Sequence, residues 1–131
     1  MQIKLYCSKC KVELTGWLSE APSSLVKKLT TQEIVDQEQM IPPGYYTSTS
    51  KIIESDEAFY GAEKSDLLVN IESMKNVKRG GTRNGCCDAD GQDGVNLFCQ
   101  KKHEIGTELA DCWQPNFVHL TLNNVQKETK A

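Results

Sequence analysis

Long apolar runs are missing from this sequence of 131 residues, and nothing in it approaches the roughly 18 consecutive apolar residues of a membrane-spanning helix. The opening Met1-Gln2-Ile3-Lys4-Leu5-Tyr6-Cys7 likewise has no apolar stretch of signal-peptide length. The expectation is a soluble, cytoplasmic protein with no membrane partner. Charge of one sign is also absent: 15 Lys and Arg stand against 18 Asp and Glu, a net of −3, so no broad positive field exists to attract phosphate backbones. General nucleic-acid coating is disfavoured. Aromatic residues are scarce at 7%, and the apolar fraction of 38% is too rich for a disordered chain yet modest for the core of one domain. Something besides apolar burial is expected to hold the chain together.

Six cysteines and two histidines are the candidates. In a reducing compartment, cysteines at short spacings point to metal or catalysis before disulfides; three disulfides are the alternative for an exported chain. The chain length suits a single domain, taken here as residues 1–125 followed by a flexible tail, 126–131. Residues 3–17 alternate apolar and polar positions around Cys7-Ser8-Lys9-Cys10, the period-two pattern of a hairpin. Residues 21–41 fit a helix or a strand, with a capping-box spacing at Thr30-Thr31-Gln32-Glu33. After Pro42-Pro43-Gly44, residues 45–49 favour strand, as do 66–71, 95–99, 103–109 and 117–122, while 72–77 read as a turn or one helical loop. Five glycines punctuate residues 79–96, which read as a long shaped loop. The fold class implied is mainly β: one domain of β-hairpins with minor helix.

Cys7-x2-Cys10 is a two-ligand knuckle whose turn can bring both sulfurs to a zinc ion at about 2.3 Å. A tetrahedral ion needs two more donors, and Cys99-x3-His103 supplies them between two strand candidates. Cys7, Cys10, Cys99 and His103 therefore form the expected Zn2+ site, and two such knuckles facing one ion make a zinc ribbon. Three thiolates and one imidazole around a divalent cation carry a charge of about −1, which Lys9, Lys11, Lys101 and Lys102 flank and can neutralise. Cys86, Cys87, Cys112 and His119 remain as a possible second site, against the plainer reading of Cys112 as a core thiol beside Trp113 and His119 as a strand residue. A ribbon that uses one of the paired cysteines or Cys112 in place of Cys7 or Cys10 is also open.

Other chemistries fail on spacing. Counted from Asp88, the twelfth position of the acidic, glycine-rich stretch is Cys99, where a calcium loop needs a bidentate Glu. A thioredoxin-like pair wants its motif at the start of a helix, whereas Val12-Glu13-Leu14 reads as strand. His103-Glu104 lacks the second histidine of a zinc protease, and no deaminase signature is present. The basic stretch Lys75, Lys78, Arg79 and Arg83 reads as a solvated loop, with contact to an acidic partner or RNA as the alternative.

Taken together, Cys7-x2-Cys10 with Leu14-Thr15, Ile41-Pro42-Pro43-Gly44-Tyr45-Tyr46, Asn84-Gly85-Cys86-Cys87-x2-Asp90-Gly91-x2-Gly94-x-Asn96-Leu97-x-Cys99, and His103-Glu104-Ile105-Gly106-Thr107-Glu108-x2-Asp111-Cys112-Trp113 resemble a family of small bacterial proteins without an established activity. The family usually carries Gly at Asp88, often Pro at Val95, and often Asn-Gly at Lys101-Lys102; Lys11 stands where zinc knuckles often carry Gly. The functional expectation is a non-catalytic, zinc-stabilised binding protein engaging a protein partner, with an immunity or regulatory role suggested by its size and acidity. The contact surface would be the loop 79–96 and the Tyr45-Tyr46 strand. The enzyme alternative is a metal- or thiol-dependent activity centred on Cys86, Cys87 and Asp90.

Overall fold

A computed structural model describes residues 2–22, 41–48, 66–80, 95–109, 116–121 and 123–130. In β1 (Gln2–Cys7), Ile3, Leu5 and Cys7 are buried while Gln2, Lys4 and Tyr6 are half-exposed, the alternation its sequence dictates. β2 (Leu18–Glu20) follows, and Gly44, at φ 84°, makes the turn that admits β3 (Tyr45–Ser48). β4 (Leu67–Val69) is buried along its length. A 3-10 turn, Ile71–Ser73, is capped by Asn70, whose Oδ1 accepts from Glu72 N at 2.8 Å and whose Nδ2 donates to Ile41 O at 2.9 Å. The remaining strands are β5 (Val77–Arg79), β6 (Leu97–Cys99), β7 (Glu104–Leu109), β8 (Phe117–Leu120) and β9 (Val125–Lys130). The molecule is mainly β and a single domain. No α-helix occurs among the described residues, and none of them forms a helix long and apolar enough to cross a membrane.

The nine described strands form one mixed sheet, ordered β5-β6-β7-β8-β4-β3-β2-β1-β9, in which only β2 and β3 run parallel. β1 and β6 stand six places apart, about 29 Å in a flat sheet. Yet Cys7 of β1 and Cys99 of β6 bring their sulfurs within 4.8 Å, so the sheet curls back on itself. Residues 13–15 close the gap: Glu13 bridges to Tyr6 and Thr15 to Met74, while Lys75 N donates to Leu14 O at 2.7 Å. Inside the curl, Ile3, Leu5, Leu14, Leu18, Val69, Leu97, Ile105, Val118 and Leu120 pack as one apolar core, which Cys7 and Cys99 join.

A bulge between Leu97 and Phe98 bends β6 against β7. Asn96 serves it by standing in for a strand residue: its Nδ2 donates to Glu108 O at 2.9 Å and its Oδ1 accepts from Glu108 N at 2.6 Å. Gly106 sits where an added Cβ would strike the carbonyl oxygen of His119 on β8.

Several expectations need correction. The tail expected to be flexible from residue 126 is β9, whose residues 126–130 pair with Tyr6 back to Gln2 of β1. Its sequence, Gln-Lys-Glu-Thr-Lys, has no apolar alternation because it lies beyond the core and is held by backbone pairing. β2 and β5 were likewise not expected; both are three residues long and partly solvated, too short for a periodic signal. The ambiguous stretch 23–40, including Thr30 to Glu33, lies outside the described residues, as does 81–94 of the glycine-rich loop.

Candidate metal centre

The first knuckle follows β1 directly, its Ser8 still bonded to the segment before β9 through Ser8 N to Asn124 O at 3.1 Å. Lys11 N donates to Cys7 O and Cys7 N to Val12 O, both at 2.9 Å, which folds residues 8–11 into a tight reversal. The turn requires a left-handed residue, and Lys11 takes it at φ 64°. The second knuckle repeats the solution: Lys102 N donates to Cys99 O and Cys99 N to His103 O, both at 2.9 Å, with Lys102 at φ 68°. Two loops of different sequence thus share one turn chemistry.

Their donor atoms converge. The sulfurs of Cys7, Cys10 and Cys99 and a ring nitrogen of His103 all lie within 4.8 Å of one another, close enough to hold one metal ion. Cys10 Sγ is 3.7 Å from Cys99 Sγ, and His103 Nδ1 is 3.6 Å from Cys7 Sγ and 3.3 Å from Cys99 Sγ. Cys7 and Cys99 are fully buried, whereas Cys10 and His103 are half-exposed, so the cluster has an inner wall and an outer rim. Among the described residues, Cys7, Cys10 and Cys99 are free thiols.

The local field favours the thiolate at Cys7 and disfavours it at Cys10. Burial pushes the Cys7 thiol up, but the backbone N–H groups of Cys10 and Lys9 and the side chains of Cys10 and Cys99 outweigh it, holding Cys7 below the ordinary thiol value. At Cys10 the Val12 N–H pulls downward, yet burial and the neighbouring Cys7 and Cys99 prevail, leaving it above that value. Lys101 N also donates to Cys99 Sγ at 3.3 Å. Sulfurs surrounded by backbone donors while crowding one another are stabilised as a group by a cation in their midst.

One supporting residue had no signal beyond its type. Asn76, at φ 60°, donates from Nδ2 to Glu13 O at 2.7 Å and accepts at Oδ1 from Gln100 Nε2 at 3.4 Å, tying the return arm of the first knuckle to the loop of the second. Asn tolerates the left-handed region better than most residues, which was the available clue. Lys4 and Lys75 both pair with Glu13 on the same arm, the former at 2.9 Å.

The other candidates fare differently. His119 is buried with its Nε2 2.7 Å from Asp66 Oδ2, so that nitrogen is engaged by a carboxylate. Cys86, Cys87, Asp88, Asp90 and Cys112 lie outside the described residues, as does Arg83 of the basic stretch. Arg79, from the same stretch, grips the buried carboxylate of Glu108 with two bonds, Nε at 2.8 Å and Nη2 at 3.1 Å. Tyr46 is in the core, leaving Tyr45 half-exposed on that strand. Comparisons of the chain with family models, curated proteins and solved structures found no match.

Proposed function

We propose that this is a non-catalytic binding protein whose curled sheet is clamped by a structural Zn2+ ion on Cys7, Cys10, Cys99 and His103, and that it acts in the reducing cytoplasm on a protein partner. The observation that carries the reading is the meeting of two knuckles from strands six places apart in the sheet. The spacings support zinc. A tetrahedral ion with Zn–S of about 2.3 Å and Zn–N of about 2.05 Å sets S···S edges near 3.8 Å and S···N edges near 3.5 Å. Cys10 Sγ to Cys99 Sγ is 3.7 Å and His103 Nδ1 to Cys7 and Cys99 Sγ is 3.6 and 3.3 Å, with all the donor atoms within 4.8 Å of one another.

Three thiolates and an imidazole are a donor set that soft or borderline cations prefer, and hard cations such as calcium and magnesium do not. Four protein donors fill a tetrahedral shell and leave no position for an activated water, which supports a structural role over a hydrolytic one. Structural zinc is worth on the order of 10 kcal/mol at neutral pH, comparable with the whole stability of a small domain, and this supplies what the modest apolar content lacks. Thiols that must stay reduced to hold the ion suit a reducing compartment.

Elemental analysis of protein purified without added metal tests the reading. One firmly held zinc per chain, and loss of near-UV circular dichroism on chelation, are expected. Cobalt substitution should give tetrahedral d–d bands with thiolate charge transfer. A metal-free protein that is fully ordered would remove the reading.

A further inference from the structure

The two knuckle loops, residues 8–11 and 100–102, carry four lysines and no carboxylate, in a chain whose overall charge is −3. Lys9, Lys11, Lys101 and Lys102 are all exposed. Lys11 Nζ is held by neutral acceptors, Ser8 O at 2.8 Å and Gln126 Oε1 at 2.6 Å, so its charge is not cancelled. Lys9, Lys101 and Lys102 form no ion pair among the described residues. Because the loops meet around one donor cluster, charges 90 residues apart in the chain become a single basic cap.

Two of these lysines occupy costly places. Lys11 and Lys102 both hold left-handed backbone, at φ 64° and 68°, where glycine would sit without strain. Two unrelated loops therefore keep an ammonium group at the position where the backbone gains most by losing the side chain. Three thiolates and one imidazole on a divalent ion leave a charge of about −1, which a single lysine would balance. The surplus faces solvent. Beside it, a shallow depression of about 380 Å³ lined by Tyr6, Lys11, Gln126, Lys127 and Glu128 extends the cap along the outer strand.

We propose that this loop pair is a docking surface for an acidic segment of a partner protein, an inference that rests on the metal-clamped reading above. A nucleic acid fits the surface less well. Its phosphate track needs a continuing positive path, whereas the cap is bordered by the exposed carboxylates of Glu104, next to His103, and Glu128, in the depression. The loops also offer lysine alone, without the planar arginine fork that grips phosphate in two places. A short run of Asp and Glu needs only the footprint of the cap.

The test uses the full-length, zinc-loaded protein, with zinc quantified on the same sample, and a fluorescein-labelled oligo(Asp-Glu) peptide followed by anisotropy at about 0.15 M salt. The Lys11→Gly, Lys102→Gly double variant relaxes both turns, so it folds and keeps its zinc; its peptide affinity should fall about tenfold. Lys78→Gln, an exposed lysine on β5, should leave affinity unchanged. Equal binding by the double variant, or equal weakening by Lys78→Gln, overturns the proposal. So does loss of zinc from the double variant, which would assign the lysines to holding the ion. A labelled oligo(dT) of matching charge that binds more tightly than the peptide would replace the protein segment with nucleic acid. Zinc-loaded protein that ignores the peptide defeats only this inference, whereas ordered protein without zinc defeats the function it rests on.

Discussion

Asn76 joins two chain segments with one side chain, and its backbone sits where few residues are comfortable. Asn76→Ala removes both bonds and puts at positive φ a residue that tolerates it less well than Asn, and should cost about 2 kcal/mol in urea unfolding. Asn76→Gly, which keeps the backbone and loses the bonds, should cost less. Glu13 offers a pH test. Its carboxyl is held below the usual carboxylate range by hydrogen bonds from Lys75 and Lys4, so the ionised form is favoured in the folded protein. A depressed folded value contributes stability above the unfolded pKa and loses it as pH falls through the folded pKa. The urea midpoint of the wild type should therefore drop more steeply below about pH 4.5 than that of Glu13→Gln, and parallel curves would exclude the pairing. At this scale the sequence announced its donors plainly, because thiols and imidazoles at fixed short spacing have few other uses. It could not announce Asn76 or Asn96, whose roles depend on which distant backbone arrives beside them.

Strands with a buried face were legible and strands without one were not. β1, β3, β4, β6, β7 and β8 carry the apolar or β-branched residues that put them in the core. β9 buries only Val125, yet it lies along the whole of β1 and satisfies that strand's outer edge. Removing residues after Asn124 would bare six residues of β1 and give another chain an edge to pair with. The shortened protein should self-associate with rising concentration in size-exclusion chromatography, and a monomer of unchanged stability would show that β9 is dispensable. Gly106 makes the complementary point inside the sheet. Gly106→Ala pushes a methyl group toward the backbone of β8 and should lower stability by about 1–3 kcal/mol in urea unfolding.

For the whole molecule, curling the sheet and gathering the four donors are one event, since they come from opposite halves of the strand order. Thermal stability should rise with free zinc as mass action requires and should lose that dependence in Cys99→Ser, measured by calorimetry across a zinc titration. The architecture itself could be anticipated only in part. Pairs of knuckles imply a shared ion, but the order of strands between them is set by contacts spread along the chain, and no local pattern encodes it.

The distance along the chain between the two knuckles also has a temporal meaning. Cys10 precedes its neighbour Cys99 by 89 residues, so a ribosome releases the first pair of thiols well before the residues that complete their cluster exist. In the proposed zinc-clamped protein those sulfurs stay open to oxidants and to competing copper until His103 emerges, so its synthesis would call on the reducing capacity of its surroundings.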